Sequence, residues 1–272
     1  MCNTKSKEPV LKQIWHKIKL FLNFRSALLL SSVSVTILTG PWVEAQEAKE
    51  IISKADAKSR GRYLEQELRM TITRPDWERT LTMKSWSKGT QYSMVLVTAP
   101  AKEKGQVFLK REKEMWNWVP SIERLIKIPP SMMMQSWMGS DFTNDDLVKE
   151  SSIVNDYDHS LLGNETIDGS ACWKIQLLPE PDAPVVWGKV ISWVDKNYNQ
   201  RKLEYFDEEG TLVNTMHLSE IKLMNDREIP TRMEMVPVGD KGKKTVVEIL
   251  SAIYEKSIPD SFFSIQNMKV IR

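Results

Sequence analysis

Residues 79–112 read RTLTMKSWSKGTQYSMVLVTAPAKEKGQVFLKRE and divide into three short apolar runs. The runs are rich in Thr, Val, Met and aromatic residues, and a glycine or a proline stands at the boundaries between them. Imperfect apolar–polar alternation with such boundaries is typical of β-strands joined by hairpins. The stretch therefore predicts three antiparallel strands in succession.

The same pattern continues in both directions along the chain. It appears before this stretch in LEQELRMTITRP and after it in segments such as DHSLLGNETIDG and SACWKIQLLPEP. Asp168-Gly169, at the junction of the last two segments, predicts a tight hairpin turn. Helical spacing of apolar residues predicts one leading amphipathic helix over Glu47–Gly61, and a short helix or turn is expected near the C-terminus. The predicted fold class is mostly β with a few helices (α+β), built on a single large sheet that curls.

The first 45 residues resemble an export signal. Lys17, Lys19 and Arg25 precede the uncharged stretch Ser26–Val43, and small residues follow up to Ala45. A basic flank, an apolar centre and small residues at the cleavage site are typical of a secretory signal peptide. We therefore predict a signal peptide at 1–45 and one domain at 46–272. An uncleaved membrane anchor is the alternative, because the uncharged stretch is almost long enough to span a bilayer.

The charge of the predicted mature domain excludes one class of protein. Residues 1–45 hold six of the 38 Lys and Arg residues but only two of the 36 Asp and Glu residues. The remainder is slightly acidic, and its basic residues are not concentrated in any one stretch. A nucleic-acid-binding domain needs a basic face, so the sequence predicts no nucleic-acid partner.

The sequence contains no recognisable catalytic or metal-binding motif. One cysteine, Cys172, follows residue 45 and stands in an apolar, strand-like setting, which predicts a buried thiol. His159 and His217 lack partners at metal-ligand spacing. Asp141, Asp145 and Asp146 are the best metal candidates, but they do not fit a calcium-binding loop and suit capping side chains better. We predict a protein that is not an enzyme and that has no metal or cofactor.

Large apolar side chains are unusually concentrated in the middle of the chain. Trp116 and Trp118 are two residues apart, so on a strand they share one face. Residues 129–152, PPSMMMQSWMGSDFTNDDLVKESS, then collect four methionines and a tryptophan without any alternation. Methionine is flexible and polarizable, and it is frequent at surfaces that accept varied apolar partners.

Four segments together resemble a known family. They are RPDWERTLTMKSWSKG (74–89), TAPAKEKGQVFLK (98–110), MWNWVPSIERLIKIPPSMMMQSWMGSDFTNDDLVKESS (115–152) and WVDKNYNQRKLEYFDEEG (193–210). They look like the bacterial outer-membrane lipoprotein-sorting protein family, which belongs to the LolA/LolB-like group of periplasmic carriers. The resemblance implies a curled, half-open antiparallel β-barrel with a helical lid and an apolar cavity for acyl chains.

This resemblance gives the methionine-rich stretch a candidate role as the underside of a lid over the cavity. The predicted cavity and lid residues are Trp116, Trp118, Met132, Met133, Met134, Trp137 and Met138. The acidic residues Asp141, Asp145 and Asp146 would keep the outer edge of the lid in water. The alternative is a crossover that fills the core and binds no ligand.

The resulting functional hypothesis is a non-catalytic periplasmic carrier. It would shield the acyl chains of a lipid or lipoprotein during transfer between envelope membranes, touch the membranes transiently and act as a monomer. The alternative is an envelope sensor or adaptor of the same fold that binds a protein partner such as an inner-membrane transporter.

Overall fold

The computed structural model describes residues 41–112, 114–146, 152–183 and 185–272. Within these ranges the chain forms two α-helices and thirteen strands. The helices are α1 (Pro41–Arg60) and α2 (Ile265–Val270). The strands are β1 (Tyr63–Thr73), β2 (Glu78–Lys88), β3 (Tyr92–Ala99), β4 (Val107–Arg111), β5 (Glu114–Val119), β6 (Arg124–Ile128), β7 (Tyr157–Ile167), β8 (Ser170–Pro179), β9 (Lys189–Asp195), β10 (Gln200–Phe206), β11 (Leu212–Met224), β12 (Arg227–Pro237) and β13 (Lys244–Tyr254).

The described strands form one antiparallel sheet, as predicted. β1 pairs with β13 in the middle; from there one arm runs outward from β2 to β6, and the other runs from β12 back to β7. All strands within an arm are consecutive in sequence, so hairpins connect them. The predicted turn at Asp168-Gly169 is confirmed, because both residues have positive φ (46° and 76°) and join β7 directly to β8.

The sheet is strongly curled around one hydrophobic core. Laid flat, thirteen strands would span about 58 Å at the usual spacing between strands. Yet every strand contributes an inward-facing side chain to a single continuous cluster, from Ile128 on β6 to Tyr157 on β7. One contiguous cluster from all thirteen strands requires the concave face to wrap around it. The predicted α+β class, with a curled sheet that is not closed, is therefore confirmed.

The convex face of one arm carries a second hydrophobic cluster. Residues that alternate with the concave positions on β2, β3 and β4, such as Met94 and Leu109, pack there with Phe263 and with Met268 of α2. The hydroxyl of Ser264 caps α2 by accepting a hydrogen bond from the Asn267 amide (3.3 Å). The predicted C-terminal helix therefore covers the outside of this arm.

Helix α1 packs on the concave side. Ala48, Ile51, Ile52 and Ala55 face the core at helical spacing and contact the β7, β9 and β12 side of the sheet. The helix begins six residues earlier than predicted, at Pro41, because proline is well suited to the first turn, where its missing N–H is not needed. Gly61, with a φ of 64°, follows its last residue as predicted.

The described residues from Pro41 to Arg272 form one compact unit. Residues 1–40 lie outside the described ranges, so the signal peptide at 1–45 and the domain division at residue 45 stay predictions.

Residues 129–156, here called the connecting segment, lead from β6 to β7. Because β6 and β7 are the two edge strands of the sheet, this segment carries the chain from one edge of the sheet to the other. Its described part, 129–146 and 152–156, has short 3₁₀ turns at Pro130–Met132 and Trp137–Gly139. The methionine-rich stretch is thus an irregular crossover, and α1 is the long helix over the concave face.

Candidate functional site

A cavity of about 310 Å³ lies inside the curled sheet. Its walls come from the C-terminal half of α1, the connecting segment and the concave faces of strands in both arms. The apolar wall includes Leu68, Met83, Leu203, Met216, Leu218 and Val247. These side chains are buried and belong to the main hydrophobic cluster. The cavity therefore lies within the curl of the sheet, and its lining also includes the exposed residue Ser59 of α1.

The polarity of the cavity changes along β2. Leu81 and Met83 occupy the inward positions at the start of the strand, whereas Ser85 and Ser87 occupy them near its end. Gly89, just beyond the strand, donates a hydrogen bond to the carbonyl of Arg62 (3.0 Å), which places this polar end beside the junction of α1 and β1. The cavity-lining part of the strand, from Met83 to Ser87, extends about 13 Å. The cavity wall is thus amphipathic along its length.

The connecting segment is fixed to the sheet at its centre. Arg74 forms an ion pair with Asp141 (3.0 Å) and donates to the carbonyl of Gly139 (2.8 Å). Thr245 also donates to the Asp141 carboxylate (2.7 Å), and Arg79 hydrogen-bonds the carbonyl of Met138. The Arg74 and Asp141 side chains are both largely buried. These contacts hold the segment as part of the folded core.

The three consecutive methionines of the segment face different environments. Met133 is buried in the main cluster, and Met132 is half-buried against it. Met134 is 64% exposed and points away from that cluster. None of the three lines the interior cavity. The interpretation of Met132–Met134 as a common lid surface is therefore wrong, because an irregular segment directs neighbouring side chains to different sides.

Trp137 is the one predicted site residue that lines the cavity. Its ring is 1% exposed and packs against Phe108, with ring centroids 5.0 Å apart. Its indole Nε1 has no hydrogen-bond partner within the described residues. Met138 is half-buried against the same cluster, with a positive φ of 50°, and does not line the cavity. Trp137 therefore anchors the segment and forms part of the cavity wall.

Trp116 and Trp118 share one face of β5, as predicted, but this is the convex face. They lie opposite Leu109 and Val107 of β4, which belong to the outer cluster. Met115, one residue away, points to the concave core. The ring of Trp118 also accepts a cation–π contact from Lys269 of α2 (5.4 Å). The prediction that these tryptophans line the cavity is corrected: they hold the outer cluster together.

The acidic residues of the segment are not at a wet outer edge. Asp141 is in the ion pair with Arg74, and Asp145 is 1% exposed. Asp146 and Thr143 cap each other: the Thr143 amide donates to the Asp146 carboxylate (2.8 Å), and the Asp146 amide donates to the Thr143 hydroxyl (3.1 Å). The expected capping role is therefore present. Within the described residues, no group of acidic, histidine or cysteine side chains is arranged to hold a metal ion.

Burial at the cavity wall raises the pKa of the Asp146 carboxyl above its ordinary value of 3.8, although hydrogen bonds from Thr143 and from the Trp187 indole (3.3 Å) oppose this shift. Burial likewise raises the pKa of Tyr205 well above 10.0, and the nearby Asp146 adds to that shift. Both groups line the cavity. Burial therefore disfavours the charged form of both groups at this part of the wall.

The raised pKa of Asp146 predicts a pH-dependent stability. A carboxyl whose folded-state pKa lies above its unfolded value binds more protons when folded, so the free energy of unfolding decreases as pH rises from 3.8 through the folded-state pKa. Asp146→Asn removes this titration but keeps an acceptor oxygen. We expect the stability of the wild type relative to this variant to decrease over that pH range in urea titrations. A difference that stays constant with pH would contradict the assignment.

Sequence reasoning missed most of the cavity wall. On β10 and β11, the residues Leu203, Met216 and Leu218 alternate with polar neighbours. This alternation predicts that they are buried on one face, but it does not distinguish a cavity wall from a filled core. The serines of β2 gave a clearer signal, because KSWSK places two small polar residues on the face opposite Trp86. Cys172 is fully buried, as predicted, and burial raises the pKa of its thiol.

No helix in the described part of the chain combines the length and the hydrophobicity that a membrane crossing requires.

Known proteins similar to this chain share its architecture. A family model described as "Uncharacterized protein" matches residues 89–270, about two thirds of the chain. No curated protein sequence matches significantly. A DUF1329 family protein from Desulfovibrio piger is 22% identical with a TM-score of 0.76, and the alignment covers 83% of this chain and 99% of that one.

Two further solved structures extend the similarity. An outer membrane lipoprotein-sorting protein domain from Vibrio parahaemolyticus is 21% identical with a TM-score of 0.74, over 83% of this chain and 99% of the other. A LolA superfamily protein from Nitrosomonas europaea is 25% identical with a TM-score of 0.71, over 81% and 98%. The chain therefore belongs to the family of the model that matches residues 89–270, and it has the fold of LolA-superfamily and outer-membrane lipoprotein-sorting proteins.

Proposed function

We propose that the protein is a non-catalytic carrier that shields the acyl chain of a lipid or lipoprotein inside its cavity. The observation that carries this proposal is the interior cavity itself, walled by apolar side chains between α1 and the concave face of the sheet. The fold supports it, since two of the similar structures are described as a lipoprotein-sorting protein domain and a LolA superfamily protein.

The size and chemistry of the cavity fit an apolar tail. Its volume of about 310 Å³ is at the lower end of the roughly 300–1,000 Å³ typical of ligand pockets. Transferring a tail from water into this wall contributes about 0.8 kcal/mol for each buried CH₂. The site would thus hold one tail, or part of one, without opening the whole core.

Such a carrier needs no cofactor for transfer. Direction would come from the differences in affinity between a donor membrane, the carrier and an acceptor. The predicted signal peptide supports a periplasmic location, where the protein would contact membranes transiently as a monomer. An inner-membrane transporter would be a suitable donor partner.

Tail length provides the test of this function. In calorimetric titrations with 1-monoacylglycerols of increasing length, we expect affinity to rise by up to about fourfold per CH₂ until the cavity is filled, and then to level off. Affinity that is indifferent to tail length would contradict the carrier and favour an adaptor that binds a protein partner instead.

Adjacent residues of β13 supply matched control variants for this titration. Ile249 lines the cavity, whereas Leu250 is 40% exposed and does not line it. Ile249→Trp should fill part of the cavity and shorten the preferred tail, and Leu250→Trp should leave the length dependence unchanged. Equal effects of the two variants would show that the tails bind elsewhere.

A further inference from the structure

The polar end of the cavity contains three buried serine hydroxyls. Ser85 and Ser87 lie on β2, and Ser93 lies opposite Ser87 on β3. They are 8%, 9% and 7% exposed, and all three line the cavity. No hydrogen bond joins any of these hydroxyls to another described residue. Three adjacent hydroxyls therefore face the cavity without a hydrogen-bond partner among the described residues.

Two glutamine side chains extend this polar surface. Gln66 lies opposite Ser85 on β1, and Gln200 contributes from the start of β10. The Nε2 atom of Gln200 is buried and has no hydrogen-bond partner within the described residues. A buried polar group without a partner is costly, so each one calls for a ligand, a water or a structural reason. Five uncharged polar side chains around one cavity end are consistent with a hydrogen-bonding site.

The charges near this end are engaged with protein groups. Lys58 donates to the carbonyl of Asn197 (2.9 Å) and to the side chain of Asn199 (2.8 Å). Arg60 forms an ion pair with Asp56 (2.8 Å). The serine and glutamine groups are themselves uncharged, and each can donate or accept. The surface is therefore suited to a neutral head group with carbonyl and hydroxyl oxygens.

We propose that this polar end hydrogen-bonds the uncharged ester, amide or hydroxyl groups at the base of an acyl chain, so that the tail extends towards Met83 and Trp137. This inference rests on the proposed function, because it assigns the head of the same bound amphiphile. It adds a direction of binding and a class of ligand: neutral acyl esters and amides.

The test compares two amphiphiles with tails of equal length. Dodecanoylglycerol carries an ester and two hydroxyls, whereas dodecyltrimethylammonium carries none of these groups. We expect the triple variant Ser85→Ala, Ser87→Ala, Ser93→Ala to bind dodecanoylglycerol about tenfold or more weakly than the wild type, because up to three hydrogen bonds are lost. Its affinity for dodecyltrimethylammonium should not change.

A buried serine outside the cavity gives the matched control. Ser192 on β9 is fully buried, its hydroxyl has no partner within the described residues, and it does not line the cavity. Ser192→Ala should leave both affinities unchanged, whereas equal weakening by this variant would overturn the proposal. A thermal melt of each variant confirms that it is folded.

The remaining outcomes also decide the question. A triple variant that binds dodecanoylglycerol as tightly as the wild type would overturn the proposal and assign the serines to bound water. The wild type could instead bind dodecanoate more tightly than dodecanoylglycerol, with this preference lost in Lys58→Met. That result would overturn the proposal in favour of an anionic head group. If the wild type binds neither amphiphile, the carrier function itself fails, and this result is distinct from the other two.

Discussion

Met133→Asp should lower the free energy of unfolding by roughly 3–5 kcal/mol, because it removes a buried side chain and places a carboxyl in the core. Met133 is 7% exposed within the main cluster. Met134→Asp should change stability by no more than about 0.5 kcal/mol, since Met134 is 64% exposed. Urea denaturation followed by circular dichroism measures both changes.

This pair of variants separates a packed crossover from a mobile lid. A lid that swings away from the sheet would carry Met133 into water, so both variants would then keep nearly normal stability. If Met133→Asp melts like the wild type, the description of the connecting segment as part of the core is wrong. A large loss of stability in Met134→Asp would also contradict this description, because it would show that Met134 makes a buried contact.

The Arg74–Asp141 ion pair should have a comparably large effect. Both side chains are largely buried, and the pair joins the residue that follows β1 to the connecting segment. Removing one partner leaves an uncompensated buried charge, so Arg74→Ala should destabilise the protein by roughly 3–5 kcal/mol. The double variant Arg74→Met, Asp141→Leu should recover much of this loss, because it removes both charges.

An exposed ion pair on β1, the strand that precedes Arg74, is the control for this effect. Arg69 and Glu248 are 3.6 Å apart with substantial solvent exposure. Arg69→Ala should cost at most about 1 kcal/mol, because water screens such pairs. If Arg74→Ala and Arg69→Ala have similar small effects, the segment is not held by its buried ion pair, and its attachment must come from Trp137 and Met133.

The architecture could be predicted from sequence because its signals are local. The Asp168-Gly169 turn has the positive φ angles that those residues favour, and alternation marks most strands. The start of α1 was placed too late, at Glu47, because helical spacing of apolar residues does not mark the preceding turns, which begin at Pro41. Proline disrupts a helix interior but is compatible with its first turn.

The candidate site could be predicted only in part, because the central strands are buried on both sides. The first six residues of β3 are all buried, with Val95 inside the curl and Met94 and Leu96 outside. Alternation shows that Trp116 and Trp118 share a face, but it cannot show which face is concave when both are apolar. That distinction depends on the direction of curling, which is a property of the whole sheet.

The connecting segment was the hardest part to predict. Its apolar residues recur neither at every second position, as in a strand, nor with the period of 3.6 of a helix. The sequence therefore does not indicate the direction in which each apolar side chain points. Trp137 lines the cavity and Met134 does not, and only the long-range contacts of Arg74 and Phe108 separate the two.

The most direct test of the carrier function is native mass spectrometry of the protein purified without detergent from its native host. We predict a population with the additional mass of an acylated molecule, which fragmentation identifies by its fatty-acyl groups. The control is a reference lipid-binding protein that keeps its ligand under the same conditions. If the wild-type protein is then recovered entirely at its own mass, the central claim that the cavity carries an acyl chain is contradicted.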